Sequence, residues 1–447
     1  MNEQRRLGTE NILKLMAEFS IPAIIGMIVN TLYNIIDRIF IGHIPQIGEL
    51  AIAGVGITLP LMTIILGFGL LIGIGTATRI SINLGEHKKD LAEKHLGNAF
   101  ILIIITSILL TFFGTIFIDP LLKAFGASEN IIVYGRQYIQ IIFFGCIFNM
   151  IGFGLNHSIR SDGSPKIAMM SMLIGAITNI ALDPIFIFAL GLGVRGGAIA
   201  TVISQAISGT WVLYYFTKGK SVLKIRKQDL RPDKKIVLSI FTIGISPFSM
   251  QLANSLVQVV ANKSLQHYGG DIAIAVMTVV NSLAMIFTMP IFGLNQGMQP
   301  IIGYNYGAKN YERVKQTVKY GIIVATIIVT SGFIIVHLIP NILIGIFNNS
   351  PELLEVGVHG MKIYLFMMPL IGSQIIITNY FQSIGKVKVS MFLSLLRQVI
   401  VLVPCMIILP LFKGLTGVWL AGPTADFIAF VVTIIMYKKI SSNLENN

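Results

Sequence analysis

Twelve apolar stretches, each long enough to cross a bilayer, constrain this chain more than any other feature. They centre near 13–41, 50–82, 96–118, 131–157, 167–190 and 196–217, then 236–266, 271–305, 317–340, 356–381, 389–411 and 414–437. A helical span needs about 20 predominantly apolar residues. Inside lipid no water satisfies backbone N–H and C=O groups, so each stretch must pair its own as a helix. Charged residues make up only 12% of the chain, against about 25% in an ordinary globular domain. The expectation is an all-α integral membrane protein with twelve transmembrane helices. One boundary is blurred, the start of the span that ends near Phe381.

The stretches fall into two sets of six because the chain repeats. Under a shift of 222 residues, Leu121, Phe125 and Ser128 recur as Leu343, Phe347 and Ser350. Gly75 and Gly85 recur as Gly297 and Gly307, and Ser161, Gly163 and Lys166 recur as Ser383, Gly385 and Lys388. Between the sets lies KGKSVLKIRKQDLRPDKK at 218–235, with eight basic residues and Pro232. This predicts an N-terminal six-helix bundle over 1–217, a basic linker over 218–235 and a C-terminal six-helix bundle over 236–447. An even number of spans starts both halves on one side of the membrane. They are then related by a pseudo-two-fold axis along the membrane normal. Paired repeats of this kind place cargo and motion at the interface between them.

The net charge of +13 invites a nucleic-acid reading, but its placement argues for topology instead. Of 33 Lys and Arg, 24 fall in alternate connections: Arg5, Arg6 and Lys14, then Lys88, Lys89 and Lys94, Arg160 and Lys166, the linker, Lys309 to Lys319, Lys386 and Lys388, and Lys438 and Lys439. The connections 42–50 and 341–351 carry almost none. By the positive-inside rule, both termini are expected in the cytoplasm and the protein in the cell membrane. The start, MNEQRRLGTEN, lacks the pattern of a cleavable signal peptide, so the first span is expected to remain as an anchor. Cys146 and Cys405 both lie inside apolar spans and read as small buried hydrophobes. Gly69 and Gly73, four apart in GFGLLIGIG, suit close helix packing.

Ionisable groups within a span are costly and are functional hypotheses by default. Asp37 lies near the outer end of the first span. Asp183 lies sixteen residues beyond Ile167 on the fifth, roughly 24 Å from the cytoplasmic face. Asn179 precedes it by four residues and shares its helix face. Thr201 lies roughly 8 Å inside the outer end of the sixth span. Two carboxylates, an amide oxygen and a hydroxyl at one depth suit a hard cation such as Na⁺, or a shared proton. Tyr33, one turn before Asp37, is placed to donate to its carboxylate. Two structural alternatives remain open from sequence: Asp37 pairs with Arg38 or caps a helix end, and Asp183 starts a turn at Pro184. The second half lacks the constellation. Cys405 stands at the place of Asp183, and Gln258 and Asn262 stand in the region of Asp37. Its deep acid, Asp426, is expected to pair with Arg397 as scaffold.

Other motifs fail. Gly219-Lys220-Ser221 resembles the end of a phosphate-binding loop, but Tyr214 stands where its first glycine belongs. His157 and Asp162 form an H-x₄-D pair of the kind acyltransferases use as base and orienting acid. No further catalytic group lies near it, so the expectation is a non-enzyme without a cofactor, with membrane-bound acyltransferase as the alternative of a different class. The histidines show no zinc-ligand spacing.

The order Pro22…Asn30…Tyr33…Asp37, Leu84-Gly85, Arg160-Ser161-Asp162-Gly163 and Asn179-x₃-Asp183-Pro184 followed by Thr201 resembles the multidrug and toxic compound extrusion (MATE) family. The likeness covers about residues 12–440 and is greatest to the branch with the DNA-damage-inducible proteins and staphylococcal-type pumps. It implies a V-shaped antiporter that exports amphipathic, often cationic drugs in exchange for H⁺ or Na⁺. In that branch the coupling site maps onto Asp37, Asn179, Asp183 and Thr201, and the bend of the first helix onto Pro22. Other branches carry an acid where this chain has Ser255. Candidates for lining the cargo cleft are Asn30, Met150, Phe153, Asn156 and Gln251. The chain is expected to work as a monomer in membrane lipid. A lipid-linked oligosaccharide flippase of the same superfamily is the second transport reading, though the deep charges here are largely acidic.

Overall fold

The computed structural model describes residues 2–125, 127, 129–346 and 351–442. Ser128, Phe347 and Ser350 of the repeat lie outside the described residues. The first half comprises α1 (Asn2–Thr9), α2 (Ile12–Gly42), α3 (Gly48–Ile57), α4 (Leu59–Gly85), α5 (Lys89–Ile116), α6 (Ile118–Ala124), α7 (Glu129–Ser161), α8 (Pro165–Pro184) and α9 (Gly193–Thr217). The second comprises α10 (Lys234–Gly307), α11 (Tyr311–Leu338), α12 (Pro340–Gly345), α13 (Pro351–Tyr364), α14 (Met368–Ser383), α15 (Val387–Leu395) and α16 (Val403–Ser442).

Among the described residues, ten stretches are long and apolar enough to span, and a bent pair makes an eleventh. The stretch Val387–Ile440 has 54 residues, about 80 Å of helix at 1.5 Å per residue and far more than one crossing. It turns at Gly414, whose φ of 54° and ψ of −136° interrupt the helical run. Gly270 does the same for α10, separating the arms Lys234–Gly270 and Ile272–Gly307. Twelve crossings result. The blurred start of the tenth span has a physical cause. Leu354–Tyr364 and Met368–Ser383 meet at 48°, where Pro369 opens the first turn of α14 and cannot donate to the helix before it. Helices α5 and α11 begin several residues before their apolar stretches, because charged first turns such as Lys89–Glu93 continue the helix into the polar region.

The halves meet along α2, α4 and α10, and one of their close backbone approaches obeys the 222-residue symmetry. A Cβ on Gly85 would run into the Tyr304 carbonyl oxygen, and one on Gly307 would run into that of Ile82. These are the same contact written twice, once from each half. Hydrogen bonds between the halves cluster toward the face bearing the basic connections. Gln299 donates to Thr78 at 2.8 Å, His95 meets Ser239 at 3.0 Å, and Asn305 donates to the Leu7 carbonyl at 2.9 Å. The helices are thus drawn together at the basic face.

The linker is tied down. Asp162 accepts Val222 N–H and Leu223 N–H, each at 3.0 Å, and the Tyr215 hydroxyl at 2.6 Å. Glu93 accepts Lys224 N–H and pairs with Arg226, each at 3.2 Å. Asp162 is therefore committed to holding the linker. His157 stacks edge-on against Phe153 with its Nδ1 unpartnered. The H-x₄-D sequence pair is no base and orienting acid, which removes the observation behind the acyltransferase alternative.

Candidate coupling site and cargo cleft

Three helices bring polar side chains together at one depth, toward the end of the first half opposite the basic face. Asp37 lies five residues before the end of α2, and Asn179 and Asp183 occupy the last two turns of α8. Thr201 lies eight residues into α9, about 12 Å, because that helix starts at Gly193 rather than 196. Asp37 is 6%, Asn179 1%, Asp183 0% and Thr201 5% exposed. The backbone of α9 closes on Asp37: a Cβ on Gly197 would lie 3.3 Å from its Oδ1.

The hydrogen bonds leave a specific deficit. Asn179 Nδ2 donates to Asp183 Oδ1 at 3.1 Å and to Thr201 Oγ1 at 3.4 Å. Asp37 Oδ1, Asn179 Oδ1 and Asp183 Oδ2 remain buried without partners. Asp37 and Asp183 also lie within range of each other's charge. Buried polar atoms are normally satisfied, and three unsatisfied oxygens, two on carboxylates, need a positive group. A hard cation takes such oxygens directly, and a proton on one carboxylate relieves the repulsion between the pair. Among the described residues no group of three or more His, Cys, Asp or Glu is placed to hold a metal ion, and the oxygens here are not the Cys and His set of a zinc centre.

Both structural alternatives for the acids are disfavoured. Arg38 is exposed while Asp37 is buried, as neighbours about 100° apart on a helix must be. Asp183 remains within α8 rather than in a turn, and a π-helical stretch, Ile185–Ala189, follows Pro184. Such stretches frequently mark functional sites. The tyrosine beside the acid is a correction. Tyr33 lies beside Asn34 and within range of the Asp37 charge, while it is Tyr138 of α7 that lies against both Asp37 and Thr201.

Directly below the acids, toward the basic face, α2, α7, α8 and α9 enclose a cleft with about 550 Å³ of empty space counted to its open mouth. Its lining includes Asn30, Tyr33, Asn149, Phe153, Asn156 and Gln205, and Asn179 and Thr201 form its upper wall. Asn30, Phe153 and Asn156 thus lie where the cleft was expected. Met150 does not: it is fully buried with its sulfur 3.3 Å from the Ser107 hydroxyl, facing α5. On α7 the cleft face runs through 149, 152, 153 and 156, which leaves 150 about a quarter-turn away. Gln251 lies on α10 near Gly67 of α4 and accepts from Asn254, outside this cleft. Asn149 and Gln205 went unnoticed in the sequence. The Gln205 carbonyl oxygen is buried and unpartnered.

The MatE family model matches residues 22–185 and 248–407, one block in each half. The chain belongs to the MatE family. The Multidrug export protein MepA of Staphylococcus haemolyticus (strain JCSC1435) is 30% identical over 430 residues, covering 96% of this chain and 94% of that protein. MepA of Staphylococcus aureus (strain MSSA476) is 29% identical over 429 residues, 95% and 94% of the two chains. Among solved structures, the MATE multidrug transporter DinF-BH in complex with R6G superposes with a TM-score of 0.90 at 40% identity, covering 97% of this chain and 96% of that one. An outward-facing MATE transporter of the MOP superfamily gives 0.92 at 25%, covering 99% and 98%. This MatE protein is a multi-pass membrane transporter and not an enzyme.

The second half of the transporter carries a different arrangement. Asp426, 3% exposed, accepts from Arg397 Nε and is paired within its own half. Gln258 and Asn262 are exposed. Pro22 lies inside α2, which continues through it as one helix packed on α10, with Ser20 donating to the Leu294 carbonyl at 3.4 Å.

Proposed function

We propose that this MatE transporter exports amphipathic or cationic drugs from the cytoplasm in exchange for H⁺ or Na⁺. The observation that carries the proposal is the set of unpartnered oxygens on Asp37, Asn179 and Asp183 at the top of an open cleft lined by Asn30, Tyr33 and Phe153. The names of the relatives as multidrug export proteins support the choice of cargo, as does the R6G bound by the DinF-BH transporter. We take the basic face as cytoplasmic, the lobes as 1–217 and 236–447, and the working unit as a monomer.

The mechanism is linkage between two ligands of one lobe. Exchange requires cargo and cation to prefer opposite states. With the site unfilled, two carboxylates place negative charge beside the cleft and favour a cationic guest. When H⁺ or Na⁺ arrives, that charge is neutralised and the guest loses its partner. Tyr138 couples the two events, because it touches Asp37 and Thr201 together. Each net charge that moves inward across a 100 mV potential supplies about 2.3 kcal/mol, so two ions per monovalent cationic drug, or one per neutral drug, add that much to the ion gradient itself.

The test is ethidium efflux from proteoliposomes under an imposed pH gradient or Na⁺ gradient, each alone. Efflux driven by either gradient is expected. A protein that moves dye only down its own gradient, indifferent to both ions, would refute the exchange.

A further inference from the structure

We propose that α1 is a strap that holds the basic face closed, and that its release from the second lobe is a required step in opening the transporter toward the cytoplasm. The proposal rests on the transport reading only in needing that face to open. Residues 2–9 form the start of the described chain, and nothing covalent ties them to the second lobe. Yet α1 ends on it. The carbonyl of Leu7 accepts from Asn305 Nδ2 at 2.9 Å and from Arg313 Nη2 at 3.1 Å. The carbonyl of Glu10 accepts from the same Arg313 nitrogen at 2.6 Å, and Arg313 Nε reaches back to Asn305 Oδ1 at 3.2 Å. Leu7 itself is 1% exposed.

These carbonyls are those a helix leaves unsatisfied at its C-terminal end, where a cation is also favoured by the helix dipole. Arg313 of α11 therefore caps a helix that belongs to the other lobe. The opposite side of α1 is fastened to its own lobe, with Arg6 bonded to Glu10 at 3.0 Å and to Glu18 at 2.6 Å. The strap is thus gripped by both lobes, and when they part on this face one grip must let go. The Arg6 grip is a pair of charged hydrogen bonds within one lobe and travels with it. The Arg313 grip spans the moving boundary.

The repeat supplies independent support. Under the 222-residue shift, the segment before α10 corresponds to α1, with Asp233 capping α10 where Asn11 caps α2. That segment lies on α5, the counterpart of α11: Asn98 accepts Asp233 N–H at 2.8 Å and donates to the Asp229 carbonyl at 3.4 Å. Each half thus lays the segment preceding its first long helix across the first three turns of the other half's third span. The two crossings are related by the same repeat that pairs Gly85 against Tyr304 with Gly307 against Ile82.

The test measures opening directly and needs neither cargo nor coupling ion. Lys166→Cys and Lys388→Cys place spin labels on symmetry-related exposed positions of the basic face, with Cys405→Ser to remove the accessible native thiol and Cys146 buried. Distances are read by pulsed electron resonance in lipid for the parent, for Arg313→Ala and for a chain lacking residues 2–9. Both variants are expected to raise the fraction of the longer-distance state at least tenfold, and Arg313→Lys, which keeps a donor, is expected to raise it less. Distributions in both variants that match the parent would overturn the proposal. Because α1 touches neither Asp37 nor the cleft, that result would leave the exchange reading standing.

Discussion

At the residue scale, the proposed exchange turns on three buried side-chain oxygens without protein partners, those of Asp37, Asn179 and Asp183. Asp37→Asn and Asp183→Asn each remove a carboxylate while keeping its shape. Each is expected to abolish cation-driven dye efflux, with normal amounts of protein in the membrane by immunoblot. Thr201→Ala removes a single hydroxyl oxygen, and a weakening of the coupling ion of about tenfold is expected, the scale of one hydrogen bond of about 1.4 kcal/mol. In the second lobe the sign is different. Arg397→Met leaves Asp426 buried and unpaired, which should cost about 3–5 kcal/mol of stability and lower the melting temperature in detergent. Asp426→Leu added to it should restore much of the loss. The acids were legible in the sequence because charge within an apolar run stands out. Tyr138, Asn149 and Gln205 were not. A tyrosine or an amide is common in spans, and only packing shows which face of α7 or α9 meets Asp37. The same ignorance of face put Met150 in the cleft and gave Tyr33 the role that Tyr138 has.

At the scale of elements, helix number followed from apolar length, and the breaks followed from particular residues. Gly270 and Gly414 turn the chain between neighbouring spans, beside the polar run 262–271 and Lys413, and Pro369 bends a span whose start was blurred for that reason. The contact of α4 against α10 depends, toward the basic face, on Gly85 and Gly307 having no side chain. Gly85→Val is expected to force the lobes apart at the basic face, because Tyr304 presents a backbone oxygen that cannot swing aside. Trypsin sensitivity of the basic connections in inside-out vesicles should rise in this variant, and efflux should fall at least tenfold. Wild-type efflux with unchanged cleavage would show that the crossing tolerates a wider gap. The repeat pointed to paired halves but not to this reciprocal crossing, which depends on how α4 and α10 are tilted.

At the scale of the molecule, the proposed exchange gives one lobe the chemistry and the other the leverage. The first has unpartnered carboxylates beside a cleft. The second has a closed ion pair and the residues that grip α1. Such asymmetry suits a rocking device in which a ligand event in one bundle biases its contact with the other. The central claim is that cargo and coupling ion oppose one another through Asp37 and Asp183. Its most direct test is equilibrium binding of a fluorescent cationic dye to the purified transporter, titrated at several pH values and Na⁺ concentrations. Dye affinity should fall as H⁺ or Na⁺ rises in the wild type, and should be flat in the Asp37→Asn/Asp183→Asn double variant. Equal ion dependence in both proteins would place the opposition elsewhere and contradict the account.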